Sequence, residues 1–152
     1  MKVAFQDAAR AIASECTCMR VRKTSRALSR LYDENLRPSG LQVSQLTLLV
    51  ATARLGDAGA NMGKMADVLG MDRTTLTRNV RPLEKAGLLR VARDPADARA
   101  RLLLLTRAGE RAIEEAFPLW EKSQEQVRSL LGASHVENLR AHLTRTLTLI
   151  SA

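Results

Sequence analysis

Apolar positions recur at helical spacing along most of the chain. Between residues 15 and 36, Cys18, Val21, Ser25, Leu28 and Tyr32 fall three or four apart, a narrow stripe on one helical face, with Arg20, Lys23 and Arg30 on the opposite flank. Arg37-Pro38-Ser39-Gly40 ends that helix, because a residue before proline avoids the helical region and glycine breaks it. Residues 43–54 predict a second helix with Val43, Leu46, Leu49 and Val50 inward, followed by a turn at Gly56-Asp57-Ala58-Gly59. Asn61 then caps a short helix over 62–69, whose inward residues are Met65, Ala66 and Leu69. Gly70 ends it. Asp72 caps the next helix, 73–86, with Leu76, Val80 and Leu83 inward and Gly87 as the stop. Residues 1–14 leave two readings open, a helix through the alanine-rich Asp7–Ala13 or a mobile arm.

The period then changes. Residues 88–93 and 101–105 are short strand candidates around the polar loop Asp94-Pro95-Ala96-Asp97-Ala98-Arg99-Ala100, and together they predict a β-hairpin. Thr106 caps a helix of roughly 107–131 whose main apolar residues are Ile113, Phe117, Trp120, Val127 and Leu131. Pro118 inside it predicts a kink, since proline removes a backbone donor and clashes with the preceding turn. Gly132 closes that helix. A last one, about 134–150, carries Val136, Leu139, Leu143, Leu147 and Ile150 near heptad spacing. The expected class is mainly α with a small β-hairpin wing.

The 152 residues suit one compact domain with helical extensions, and 45% apolar against 26% charged residues excludes wholesale disorder. No apolar run approaches the ~18 residues of a membrane span, and the start lacks a signal peptide's apolar stretch, so the expectation is a soluble, cytoplasmic protein without membrane contact. Aromatic residues make up only 3%, which argues against a single-strand binder built from base-stacking platforms. The net charge is +8, a hint of a polyanionic partner. Residues 1–60 hold nine basic and five acidic groups, 61–101 hold the same, and 102–152 hold six of each. The whole excess therefore lies in the first two-thirds of the chain.

Two short helices joined by a tight Gly70-Met71-Asp72 turn and followed by a hairpin form a winged helix-turn-helix pattern, whose second helix enters the major groove of DNA. Its solvent-facing residues are Arg73, Thr74, Thr75, Thr77, Arg78 and Arg81. Arginine bridges guanine O6 and N7, and threonine reaches bases or phosphates. The bland alternative is that they only solvate an exposed face, and the adjoining hairpin and the charge distribution weigh against it. In the hairpin, Arg99 and Arg101 complete the candidate DNA-binding set, Arg99 on an exposed turn suited to a narrow minor groove. Asp97 is expected to hold the loop through local hydrogen bonds or an ion pair with Arg99 or Arg101.

The run from Leu69 through Arg73-Thr74-Thr75-Leu76-Thr77-Arg78 to Arg90, then Asp94-Pro95-Ala96-Asp97-Ala98-Arg99 and Leu105-Thr106-Arg107-Ala108-Gly109, resembles the MarR family of transcriptional regulators, and Leu41–Leu49 is similar to the family's second helix. The resemblance spans roughly residues 15–150. It implies a homodimer on a palindromic double-stranded operator, most simply a repressor, with release by a small molecule or an oxidant and no cofactor. It divides the chain into an N-terminal arm and first dimerisation helix (1–40), a DNA-binding lobe (41–106) and C-terminal dimerisation helices (107–152). Apolar stripes at both ends of the chain, too far from the winged core to be buried in it, point independently to a dimer.

Two sensor readings follow. Cys16 and Cys18, on one helix, stand about 200° apart and so neither share a metal nor close an unstrained disulfide. Electrostatics favour Cys16 as the reactive thiol, near Arg20 and a helix N-terminus. The resemblance instead aligns Cys18 with the reactive cysteine of peroxide-sensing members and Tyr32 with one of two assisting tyrosines, Val43 replacing the other. The bland alternative is that both are packing residues or adventitious thiols. A pocket for a small aromatic effector is expected from Arg26, Phe117 and Trp120, although apolar residues at helical spacing are more often core.

An enzyme is not expected. The chain has no HExxH and no CxxC pair, so no metal site is expected either, and Gly59–Met65 has the wrong spacing for a phosphate loop. The remaining alternative is a winged-helix protein-interaction module without specific DNA binding, which would have no reason to keep Arg73, Arg78 and Arg99 together.

Overall fold

The computed structural model describes residues 4–56, 59–97 and 99–151. Asp57 and Ala58 of the expected turn and Ala98 of the wing loop lie outside the described residues. The elements are α1 (Phe5–Glu15), α2 (Thr17–Leu36), a 3-10 turn (Arg37–Ser39), α3 (Val43–Arg54), β1 (Ala60–Asn61), α4 (Met62–Leu69), α5 (Arg73–Lys85), β2 (Leu89–Arg93), β3 (Arg101–Leu105), α6 (Arg107–Leu131) and α7 (Ala133–Ile150). No helix among the described residues is long and apolar enough to cross a membrane.

Local chemistry fixes the helix-turn-helix. The Asn61 side chain accepts the Gly63 N–H at 2.8 Å and starts α4, and Gly70, at φ 60°, ends it in the left-handed conformation that glycine adopts without strain. Asp72 caps α5 through the Thr75 N–H at 2.9 Å. Leu76, Val80 and Leu83 pin α5 into a core completed by Leu36, Leu48, Leu49, Met65, Leu89 and Leu103 from its neighbours. Each leucine so buried stabilises by about 1.5–3 kcal/mol relative to exposure, so α5 is held rigidly.

The sheet joins this lobe to α6. Leu89 pairs with Leu105 and Arg93 with Arg101 in the antiparallel hairpin. At its foot, the Thr106 hydroxyl lies 2.7 Å from the Gly87 carbonyl and accepts the Gly109 N–H at 3.0 Å, while the Thr106 N–H donates to Leu88 at 3.2 Å. One residue thus caps α6 and ties it to the end of the recognition unit.

The expected winged-helix class holds, with several corrections. The sheet has three strands in the order β1-β3-β2, because Ala60 and Asn61 pair antiparallel with Leu103 and Leu102. The first long helix begins at Thr17, and a separate α1 precedes it. Val50, expected inward, is exposed, and Leu48 and Thr52 are buried instead, because α3 packs against α2, α4, α6 and β3 and not against one surface. In α6 the buried residues are Gly109, Ala116, Ser123 and Val127, whereas Phe117, Trp120 and Leu131 stay exposed. Small residues let α6 approach α2 and α3 closely, which turns its large side chains outward. Pro118 sits within a helix that continues to Leu131. Of the apolar stripe on α7, Val136 alone is buried.

Candidate nucleic-acid interface

Arg73, Thr74, Thr77, Arg78 and Arg81 are exposed within about 140° of the circumference of α5, counting 100° per residue. Thr75 does not join them. It is half-buried, and its hydroxyl donates to the second oxygen of Asp72 at 2.7 Å, so the cap takes it. The Thr77 hydroxyl donates back to the Arg73 carbonyl at 2.8 Å and keeps its lone pairs for a ligand. Arg73 leans toward the first turn of α4, where a Cβ at Gly63 would lie 3.5 Å from its Nη2.

The wing is stapled by two aspartates. Asp94 accepts the Ala96 N–H at 2.8 Å and Asp97 accepts the Arg99 N–H at 2.9 Å, closing two small turns that leave the Arg99 side chain exposed. Asp97 therefore engages the backbone of Arg99, and among the described residues it forms no ion pair with Arg99 or Arg101. Arg93 stands directly across from Arg101 and is equally exposed. Periodicity missed Arg93, although a seven-residue loop with symmetric strands predicts that register. From α5, Glu84 accepts the Val91 N–H at 3.3 Å, tying recognition helix to wing. Among the described residues, the ion pairs are Asp7–Arg10, Arg107–Glu110 and Glu125–Arg128, all within single helices. None neutralises α5 or the wing.

Asp72 makes the cap sensitive to pH. Its carboxyl is held below its ordinary value of 3.8, first by the Thr75 hydroxyl and then by the Thr75 N–H. The stabilisation it gives is present above the unfolded value and is lost as pH falls through the lower folded one. Asp72→Ala is therefore expected to be less stable than the parent at neutral pH, with the difference closing below the carboxylate range. Urea titrations of both proteins across that range measure it, and a constant difference would contradict an ionised cap.

The sensor candidates fall elsewhere. Cys16 is half-buried at the junction of α1 and α2, with φ −66° and ψ 105°, and Cys18 is exposed on α2. The extended Cys16 corrects the assumption of one continuous helix, so the ~200° separation of the two thiols does not apply. The Arg20 guanidinium donates to the Ser14 carbonyl. Tyr32 lies about 21 Å along α2 from Cys18 at 1.5 Å per residue, so one protomer does not bring them together. Its hydroxyl accepts from Gln124 at 2.7 Å, and burial raises its pKa from 10.0 against the pull of Arg140, Arg128 and Gln124.

Phe117 and Trp120 stack at 5.8 Å between ring centroids and line an apolar groove of about 710 Å³ with Val43, Val50, Arg54 and Val68. Arg26 is not in it. That residue lies on exposed α2, and the groove's charged residue is Arg54. Among the described residues no group of His, Cys, Asp and Glu is arranged to hold a metal ion.

Residues 39–100 match a family model described as MarR family. The chain is similar to the transcriptional regulator MosR of M. tuberculosis, solved in complex with DNA, with 34% identity over 91% of this chain and 100% of that one at a TM-score of 0.75. A probable transcriptional regulator from Pseudomonas aeruginosa shares 26% identity over 88% and 98% at 0.75. A variant of MarR from E. coli, complexed with operator DNA, shares 22% over 90% and 97% at 0.79, a likeness of fold. No curated protein matches the chain.

Proposed function

The chain belongs to the MarR family of transcriptional regulators, and from that premise we propose that it is a homodimeric, sequence-specific binder of double-stranded DNA that represses from a palindromic operator. The observation that carries the DNA reading is the cationic surface formed by Arg73, Arg78 and Arg81 on a rigid α5 and by Arg93, Arg99 and Arg101 on a stapled wing, without an ion pair among the described residues. In this reading α5 takes the major groove, with Thr74 and Thr77 beside the arginines, and the wing takes the adjacent minor groove. The regulator MosR, solved with DNA, supports it.

The homodimer is supported by apolar surface that one protomer leaves open at both ends. Phe5 and Ile12 on α1, Leu130 at the end of α6, and Leu143, Leu147 and Ile150 on α7 are all exposed, more than a monomer of this size ordinarily shows to water. The corresponding division is an N-terminal arm and first dimerisation helix at 1–40, a DNA-binding lobe at 41–106 and C-terminal dimerisation helices at 107–152. Two lobes then read half-sites about 34 Å apart. Release follows from a small aromatic molecule beside Phe117 and Trp120 or from oxidation at Cys16 and Cys18, whose helix break leaves the backbone free to rearrange.

Arg99→Ala tests the wing. Operator affinity is expected to fall for every sequence alike, and the slope of affinity against salt to drop by about 1 for each subunit. Fluorescence anisotropy titrations at several salt concentrations measure both. An unchanged slope would remove the wing from the interface.

A further inference from the structure

Helix α1 has no counterpart in its own protomer. Phe5, Ala8 and Ile12 form a stripe along it, yet none of its residues is buried, with Phe5 86% and Ile12 60% exposed. An isolated helix of eleven residues is marginal in water, so α1 keeps its shape by packing its apolar face on something.

The groove between α3, α4 and α6 lacks a cover in the same way. Val50, Val68, Phe117 and Trp120 line it and are exposed, and Arg54 stands on its wall with no acidic residue in the lining. Its complement is an apolar ridge carrying an acid. Helix α1 is such a ridge: Asp7 is paired with Arg10 at 3.6 Å, and Glu15 has no ion pair among the described residues.

A protomer's own α1 falls short of its own groove. Helix α2 is about 30 Å long and α1 about 16 Å, at 1.5 Å per residue. The groove lies past the far end of α2, since Tyr32 and Asn35 hydrogen-bond Gln124 and Gln126 while Trp120 and Phe117 stand further toward the start of α6. Folded back from Cys16, α1 would end about halfway along α2. A two-fold axis that sets two α2 helices antiparallel brings each arm to the other's groove, and such a contact closes on itself.

We propose that α1 of a second copy fills the groove, the two protomers exchanging arms, with the partner's Phe5 and Ile12 against Val50, Phe117 and Trp120 and an acid of the arm facing Arg54. This rests on the homodimer proposed above. Trp120 is the single tryptophan of the chain and reports the groove directly.

Two measurements on the full chain test it, each alongside sedimentation velocity. In a Cys16→Ser, Cys18→Ser background, mild oxidation of a mixture of Ile12→Cys chains and Val50→Cys chains is expected to give a disulfide-linked pair containing one of each. In the second, Phe5→Asp with Ile12→Asp, both on solvated α1, is expected to shift Trp120 emission to longer wavelength and to increase its quenching by acrylamide. A dimer by sedimentation that neither cross-links nor changes its Trp120 emission overturns the arm exchange and leaves the dimer standing. A monomer overturns both. A wild-type Trp120 signal that responds to an added phenolic acid such as salicylate, but not to the arm substitutions, gives the groove to a small ligand and overturns the proposal.

Discussion

Gly109→Ala is expected to destabilise the protein by about 2 kcal/mol, although it places the best helix former in the first turn of α6. The helix itself gains about 1 kcal/mol from the exchange. Against this, a Cβ at Gly109 would lie 2.2 Å from the Leu88 carbonyl oxygen and 2.7 Å from Leu105 Cδ1. The first neighbour is backbone, and the same carbonyl accepts the Thr106 N–H. It cannot rotate away without undoing the cap of α6. Overpacking a rigid site costs about 1–3 kcal/mol and more where backbone must shift, so the clash outweighs the propensity. Urea denaturation at one fixed protein concentration measures the loss, the concentration being held because an oligomer's stability depends on it. A midpoint at or above the parent's would show that α6 slides on the sheet without penalty.

Arg78→Ala is expected to weaken operator binding by about 1–3 kcal/mol per half-site and to relax the preference at one base position, while stability changes by less than about 0.5 kcal/mol. The side chain is exposed midway along the cationic face of α5 and has no ion pair among the described residues to lose. Arg78→Lys separates charge from geometry. Lysine keeps the phosphate attraction but not the planar fork that bridges guanine, so the salt slope is expected to survive and the base preference to be lost. Anisotropy titrations against the operator and its single-base variants read both quantities. Equal discrimination by the parent and by the Arg78→Lys protein would make this residue a phosphate contact.

The helix-turn-helix was readable because its punctuation is chemical. Asn61, Gly70 and Asp72 each have one favoured role at a helix end, and each occupies it. Strand β1 was unreadable, since two residues carry no period and one of them, Asn61, already serves as a cap. Thr75 was misplaced because periodicity assigns a face but not the competition for a hydroxyl, which the Asp72 carboxylate wins. Val50, Phe117 and Trp120 show a further limit. Helical spacing marks a side chain as apolar-facing without saying whether that face meets a core or a groove. The break at Cys16 has no proline or glycine to announce it, and Arg26 was assigned a pocket from which the exposed course of α2 removes it.

The pairing of Arg93 with Arg101 carries an energetic consequence. Like charges set directly opposite on neighbouring strands repel, so the hairpin folds with its two arginines at their least favourable when nothing anionic is near. On the proposed reading, a phosphate between them relieves a repulsion already present in the free protein. Part of the binding free energy is then stored in the wing before DNA arrives, and dissolved salt, by screening that repulsion, stabilises the empty wing while weakening its hold on DNA.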